Sequence, residues 1–526
     1  MGFLVNEAQN AFVKGRQISS NILLAHELAK NYNRKHISPR AMLNIDIKKA
    51  FDTINWGFLK EMLIGLGFPD AYVGWIMACI TYPKYSIAFN GALHGDLYSV
   101  NKLYQCFSDF CAVSGLKANS NKCSIFYGGV ADSVKASNFN CLGFSEGTMP
   151  IRYLGVPLVC KRLSYTDCAP LLKKITDLFQ SCKNHKKLSY AGRLQVIKRS
   201  ILGIQVFWTS NYILPARVLK KIDELCRNFL WGKYDQSVKA VLMVSWEKVF
   251  LDRKKGGLGI FSASIWNLAS AVKLLWHLHI NKECLWIKWV NGTYLKNYNV
   301  WQVQAKRGDS WMWKQILKAR DKAVELSGNV DNLKQMIKST SSSSKIKIAE
   351  IHRALSPASN SVLWHNMVWG GLSYPKHSFI CWLAVNNRLQ TQDRLLRKGK
   401  VNANQCKLCT GVCLESRDHL FFECSFSKEV WNQIMDWLHF KWRSCSWNSI
   451  FNWYCTKLRK KGIKQNIKRS ALSATIYHLW YERNMRTFQQ VSKSEESLVK
   501  RIKVDILTIC LNSPNIAGNL TDWISS

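Results

Sequence analysis

The sequence predicts an α+β, multidomain, predominantly helical protein, and three observations lead there. A chain of 526 residues has room for several domains at roughly 100–200 residues each. One stretch near the N-terminus switches from a period of two to a period of three to four. Beyond about residue 160, apolar residues recur mostly at helical spacing. Hydrophobic residues make up 47% of the chain, which excludes a wholly disordered polymer.

The switch lies in AMLNIDIKKAFDTINW. Leu43, Ile45 and Ile47 alternate with Asn44 and Asp46, a strand pattern; Phe51, Ile54, Phe58 and Met62 then take up a helical one. Gly67 and Pro69 stop that helix. Asp46 therefore stands at the end of a strand that leads into a helix, a common seat for carboxylates that do chemistry. Further on, Leu194, Ile197, Ile201, Ile204 and Trp208 form an i, i+3, i+7 stripe that reads as core packing. Gly256 and Gly257 mark a turn. The tryptophans at 266, 276, 286, 289, 301, 311 and 313 fit core positions better than base-stacking platforms. The serine run at 339–344, with Pro357 beyond it, reads as a linker.

Lys and Arg number 74 against 34 Asp and Glu, a net charge of +40. Such a surplus does not suit an ordinary enzyme of small metabolites and points to a polyanion, RNA or DNA. Between Lys457 and Arg469, seven of thirteen residues are basic and none is acidic, a run that could track phosphates or line a solvated helix face. The 18 cysteines are scattered, and MGFLVNEAQNAFVKGR lacks the basic start and apolar core of a signal peptide, so free thiols and an intracellular setting are expected. The uncharged run Ser200–Ala216 is interrupted by Gln205, Thr209, Ser210, Asn211 and Pro215 and falls short of the ~18–20 apolar residues a membrane span needs. No membrane partner is expected.

The sharpest chemical signal is Cys406-Lys407-Leu408-Cys409, then His419 after nine residues and Cys424 after four more. Two thiolates two residues apart can clasp one metal from a tight turn, and a later His and Cys complete a tetrahedron. Four protein ligands leave no open position, so a structural Zn²⁺ is expected, supplying folding free energy to a small domain. Cys413 is a spare thiol nearby, Gly411 lies in the turn, and Leu420, Phe421 and Phe422 form an apolar backing.

Several segments resemble the reverse transcriptase of plant non-LTR, long-interspersed-element retrotransposons: QNAFVKGRQISSNILLAHEL at 9–28, LNIDIKKAFDTINW at 43–56, YSIAFNGALHG at 85–95, SGLKANSNKCSIFYGGV at 114–130, IRYLGVPL at 151–158 and LSYAGRLQVIKRSIL at 188–202. VWGGLSYPKHSFICWLAVNNRLQTQDRL at 368–395, the Cys/His cluster and LWYERNMRTF at 479–488 resemble the zinc-binding domain carboxy-terminal to that polymerase. The resemblance implies a right-hand polymerase palm copying RNA into DNA, with Mg²⁺ held between carboxylates and deoxynucleoside triphosphate as the small substrate. It makes Asp46 a metal-binding carboxylate, Phe51 the bulky residue that blocks a ribose 2′-hydroxyl, Lys122 a lysine near the triphosphate, and Tyr153-Leu154-Gly155 a primer-gripping turn.

The departures bear on activity. The family's aromatic-Ala-Asp-Asp turn has no counterpart, for no two aspartates are adjacent anywhere in the chain. The Arg-Gln-Gly-Asp-Pro-Leu-Ser-Pro segment is missing, and the sequence passes from Asn90–Gly95 straight to Asp96–Val100, the junction of an internal deletion or of a mis-joined gene. The basic fingers segment and the endonuclease are expected upstream of Met1. One carboxylate cannot hold two divalent ions ~3.5–4 Å apart, and Asp52 and Asp96 are poor substitutes. The expectation is a pseudogene-like, catalytically inactive protein without productive Mg²⁺, with a palm strand exposing an unpaired edge and an apolar face. The alternatives are an active polymerase and a stand-alone zinc-dependent nucleic-acid-binding protein. The expected layout is a truncated fingers and palm remnant at 1–158, a helical thumb-like region and Trp-rich connector at 159–335, a Ser-rich linker at 336–360, a zinc-binding domain at 361–440 and a basic helical tail at 441–526.

Overall fold

The computed structural model describes residues 5–30, 32, 40–48, 53–81, 90–93, 97–119, 122–159, 161–184, 188–232, 243–280, 283–296, 298–342, 345–370, 372–409, 413–441, 443–458 and 462–513. Helix accounts for 62% of the described residues and strand for 6%, with the strands confined to small sheets. The chain forms two compact units, each discontinuous in sequence: 1–170 with 207–218 and 267–355, and 171–206 with 219–266 and 356–526. No described helix is long and apolar enough to cross a membrane.

The first unit carries a four-stranded sheet in the order β2-β1-β3-β4. Its strands are β1 (Arg40–Asp46), β2 (Asn90–Leu93), β3 (Ser124–Gly128) and β4 (Ser145–Glu146). β1 pairs antiparallel with β2 and with β3, and β3 runs parallel to β4. The period of two decides the faces. Ala41 and Leu43 pack with Cys123, Ile125 and Phe144 on one side, and Met42 packs with Phe126, Leu158, Ala29 and Tyr32 on the other. The expected bare strand edge is therefore corrected: β1 is hydrogen-bonded on both sides, because Asn90–Leu93 supplies a partner strand, and both of its faces are covered.

The helix after β1 begins at Trp56, where the Asn55 side chain accepts a hydrogen bond from Phe58 N at 3.1 Å and fixes the start. It ends at Gly65, before Gly67 and Pro69, and a second helix spans Asp70–Thr81. No residue of Trp56–Gly65 is buried. Trp56 is 46% and Trp75 68% exposed, and Met62, Ile64 and Tyr72 are exposed beside them, so this helical pair shows an apolar surface. β5 (Ile151–Tyr153) and β6 (Val156–Leu158) form a hairpin whose two turn residues, Leu154 and Gly155, both have positive φ, the twist a two-residue hairpin requires. Of the tryptophans in this unit, Trp276, Trp286, Trp301 and Trp313 are buried, Trp311 is half-buried and Trp289 is exposed. The serine run begins in the last turn of helix Val330–Thr340, and beyond that helix β7 (Ser341–Ser342) pairs with β8 (Lys345–Ile346) ahead of helix Ile348–Leu355.

In the second unit the 194–208 stripe is buried as expected at Leu194, Ile197 and Ile201, and its last member, Trp208, which belongs to the 207–218 segment of the first unit, is buried too. A π-helical turn at Ile197–Ile201 adds a residue to the turn and rotates the helix beyond Ile201, so Gln205 is buried while Ile204 is only half-buried. Gly256 adopts φ +86°, and a side chain at Gly257 would meet the Leu251 carbonyl, so both glycines are required by the turn. The Gly256 carbonyl accepts the indole N–H of Trp382 at 2.9 Å. The core of this unit joins helix Pro375–Val385 to helix Ile463–Phe488, and helix Glu495–Leu511 to both Ile463–Phe488 and Ser425–Trp437. Helix Ile463–Phe488 thus lies at the centre of this core rather than at its periphery.

Candidate metal centre

Cys406, Cys409, His419 and Cys424 come together in the second unit, each offering one ligand atom within 4.8 Å of the others. A narrow hairpin presents the first pair. Cys406 N donates to Cys413 O at 2.9 Å, Glu415 N donates to Asn404 O at 2.6 Å, and Gln405 bridges to Leu414. Leu408 N points at Cys406 Sγ, 3.4 Å away, the backbone N–H to sulfur contact of a metal-binding turn. The Ser416 hydroxyl accepts from His419 N at 3.1 Å and starts the short π-helical turn His419–Glu423. That turn closes with Cys424 N on His419 O at 2.7 Å and delivers Cys424 to the N-terminus of helix Ser425–Trp437. Gly411 lies outside the described residues. Cys413 is exposed and is not among the four.

The distances fit a tetrahedral ion. Cys406 Sγ and Cys424 Sγ are 3.9 Å apart, and Cys409 Sγ is 3.5 Å from His419 Nε2; edges built on ~2.3 Å Zn–S and ~2.0–2.1 Å Zn–N bonds run to about 3.8 and 3.5 Å. Burial holds the His419 imidazole below its ordinary pKa, so it is neutral, the ligating form. The hydrogen bond from Cys406 holds the Cys424 thiol low, and the helix N-terminus also favours its thiolate. The same contact, with burial, pushes Cys406 up. The pair therefore ionises one sulfur readily and needs a cation before it ionises the second. This donor set is compatible with structural zinc.

Two charged clamps seat the hairpin on helix Ile463–Phe488. Glu415 meets Arg483 at 2.7–3.1 Å and accepts Gln392 N at 2.9 Å. Arg486 donates to the Leu408 carbonyl inside the metal-binding turn at 2.8 Å, is held by Glu482 at 2.9 Å, and lies over the Phe426 ring. Behind the ligands, Leu420, Phe421 and Phe422 are buried against Trp431 and Trp447. The spacing in the sequence singles out the ligands but not Glu415, Glu482, Arg483 or Arg486 as their supports. For Glu482, Arg483 and Arg486 the signal is a cluster of charges in the last two turns of helix Ile463–Phe488, and Glu415 stands a few residues before the His419 ligand position.

The other sequence-predicted residues lie in the first unit. Asp46 ends β1 with its carboxylate 3.7 Å from Lys122 Nζ and 3.4 Å from Asn119 Nδ2. The structure thus brings Asp46 and Lys122 together. Phe51, Asp52 and the junction at His94–Asp96 lie outside the described residues. Among the described residues, groups of three or more metal-ligating side chains are the Cys/His quartet and His377/His478/Asp505; Asp46 belongs to neither. In the basic run, Arg469 is buried and bonded to the Leu458 carbonyl, Lys468 covers the Phe440 ring, and Lys457 and Lys464 are exposed. Arg459, Lys460 and Lys461 are not among the described residues.

Residues 347–431 match the family described as zinc-binding in reverse transcriptase, and the quartet lies inside that span. A segment of 152 residues is 32% identical to an Arabidopsis thaliana protein named as a putative ribonuclease H protein; it covers 29% of this chain and 24% of that relative, so the chain spans about a quarter of the relative's length. Together the metal-compatible quartet and the two matches support a retrotransposon-type protein carrying a zinc-binding domain of the reverse-transcriptase kind.

Proposed function

We propose that this chain is a degenerate reverse transcriptase of the plant non-LTR type, which has lost RNA-directed DNA polymerase activity and keeps a zinc-stabilised surface for RNA or DNA. The observation that carries the proposal is the Cys406/Cys409/His419/Cys424 quartet inside the matched span 347–431, in a chain of net charge +40. Zinc, when bound, supplies cross-linking rather than hydrolysis, since the four donors leave it no open position. The protein's own part is to hold the hairpin on the Ile463–Phe488 helix through Arg483 and Arg486. Cationic side chains then neutralise phosphates and release counterions, which makes binding fall steeply with salt.

The proposed layout keeps a fingers and palm remnant at 1–158, a thumb-like region and connector at 159–335, a linker at 336–360, the zinc domain at 361–440 and the basic helical segment at 441–526. In this reading Asp46 is the remaining palm carboxylate and Lys122 its neighbour near the triphosphate position. Their 3.7 Å contact supports a site in which the lysine, rather than a second acid, faces the aspartate. Such a site lacks the charge to bridge two Mg²⁺ ions. Primer extension on an RNA template with Mg²⁺ tests the loss of chemistry: no product is expected, and Asp46-dependent extension would refute it. Binding of a nonspecific RNA across a salt series tests the retained surface, and no binding at low salt would refute that part.

A further inference from the structure

We propose a second metal site, held by His377, His478 and Asp505, that takes a divalent first-row transition ion of the zinc type and staples three helices of the second unit. His377 lies on helix Pro375–Val385, His478 on Ile463–Phe488 and Asp505 on Glu495–Leu511. Their three ligand atoms all lie within 4.8 Å of one another. Asp505 Oδ2 is the common point, 2.9 Å from His478 Nε2 and 3.4 Å from His377 Nε2. Bonds of ~2.0–2.1 Å to a tetrahedral ion give edges of about 3.4 Å, so the ion fits after small shifts.

The second observation is His377 itself. It is 1% exposed, and neither of its ring nitrogens has a hydrogen-bond partner among the described residues. A buried imidazole in that state is costly, and a cation between Nε2 and the Asp505 carboxylate satisfies one of the two nitrogens. Burial keeps both imidazoles neutral, the form that donates a lone pair. Imidazole and carboxylate ligands suit zinc and its neighbours rather than calcium or magnesium. Two features weaken the site relative to the cysteine quartet. It offers one anionic ligand, and Lys376 and Arg501 are near enough to act on His478 electrostatically. Lys376 is drawn over the Tyr374 and Tyr477 rings that flank His377. Of its ligands only His377 falls within the matched span 347–431; His478 and Asp505 lie beyond it.

The test uses the full chain, stripped of metal under reducing conditions and titrated with Co²⁺ alone, with metal content read in parallel after Zn²⁺ loading and desalting. The wild type is expected to take two equivalents. The first brings intense thiolate-to-cobalt absorption in the near ultraviolet; the second adds only weaker visible bands and is the first lost to a chelator. Cys406→Ser with Cys409→Ser should keep the second and lose the first. His377→Phe, which retains a ring against Tyr477, and Asp505→Asn, which retains a hydrogen-bond partner for His478, should each lose the second, with the near-ultraviolet band and the helical circular dichroism unchanged. A wild type that saturates at one thiolate-bound equivalent overturns the proposal. So does a second equivalent that survives both variants.

Discussion

The Arg483 guanidinium and the Glu415 carboxylate, 1% and 0% exposed, meet at 2.7 Å at the base of the hairpin that carries Cys406 and Cys409. Neither residue is a ligand, yet the pair fixes where the hairpin sits: Glu415 also accepts Gln392 N, and its own backbone N–H closes the hairpin on Asn404.

Breaking that pair from one side should be severe. Arg483→Met or Glu415→Gln leaves a buried group without its partner, and a loss of about 3–5 kcal/mol in denaturant unfolding is expected. Metal affinity should fall ~10–100-fold although all four ligands remain. The double variant Glu415→Gln with Arg483→Met should be less destabilised than the sum of the singles, because no uncompensated charge is left behind. Additive losses in that cycle would show that the two side chains act separately.

Removing a ligand should unfold locally rather than globally. Cys424→Ser takes away the sulfur at the start of helix Ser425–Trp437, and chelation of the wild type should have the same effect. Hydrogen exchange should speed up across the hairpin 404–415 and the turn 419–424. It should stay slow in the sheet of the first unit, where β1 is paired on both sides. Equal acceleration in both places would contradict a local metal role.

Asp223 gives the second unit a pH dependence of defined sign. Burial raises its pKa to about 7, against the N–H of Ala263 and the charge of Arg227, which lower it. The folded state therefore holds a proton that the unfolded state releases near pH 4. This group's contribution falls as pH rises from ~4 to ~7 and is flat beyond. Asp223→Asn should remove that slope and stabilise the protein at pH 8 by something on the order of 1–3 kcal/mol. An unchanged stability profile between pH 5 and 8 would contradict the assignment.

The helical pair Trp56–Gly65 and Asp70–Thr81 presents Trp56, Met62, Ile64, Tyr72 and Trp75 to solvent. Exposed apolar side chains of this size bind dyes and promote association. Trp56→Gln with Trp75→Gln should lower dye fluorescence and self-association while leaving the circular dichroism in place. Undiminished self-association would locate the sticky surface elsewhere.

The range of each interaction decides how far it is legible in the sequence. The β1 strand is readable from Leu43, Ile45 and Ile47, since side-chain alternation is local. The 194–208 stripe is readable at Leu194, Ile197, Ile201 and Trp208, while the π-helical turn puts Gln205 rather than Ile204 in the core, a change no simple periodicity reports. The partner strand Asn90–Leu93 was not expected to complete the sheet, because strand pairing joins residues about fifty positions apart and leaves no mark in either segment alone.

The sequence by itself determined which residues make up the candidate metal centre. Four ligands at short spacings, with an apolar triad behind them, suffice because a metal site this compact is made of neighbours along the chain. Tertiary structure alone decided what holds that centre in place and what else can bind beside it. Glu415 with Arg483, and His377 with His478 and Asp505, are united only when distant helices pack side by side. Burial then turns side chains that read as ordinary surface charges into paired or ligating groups.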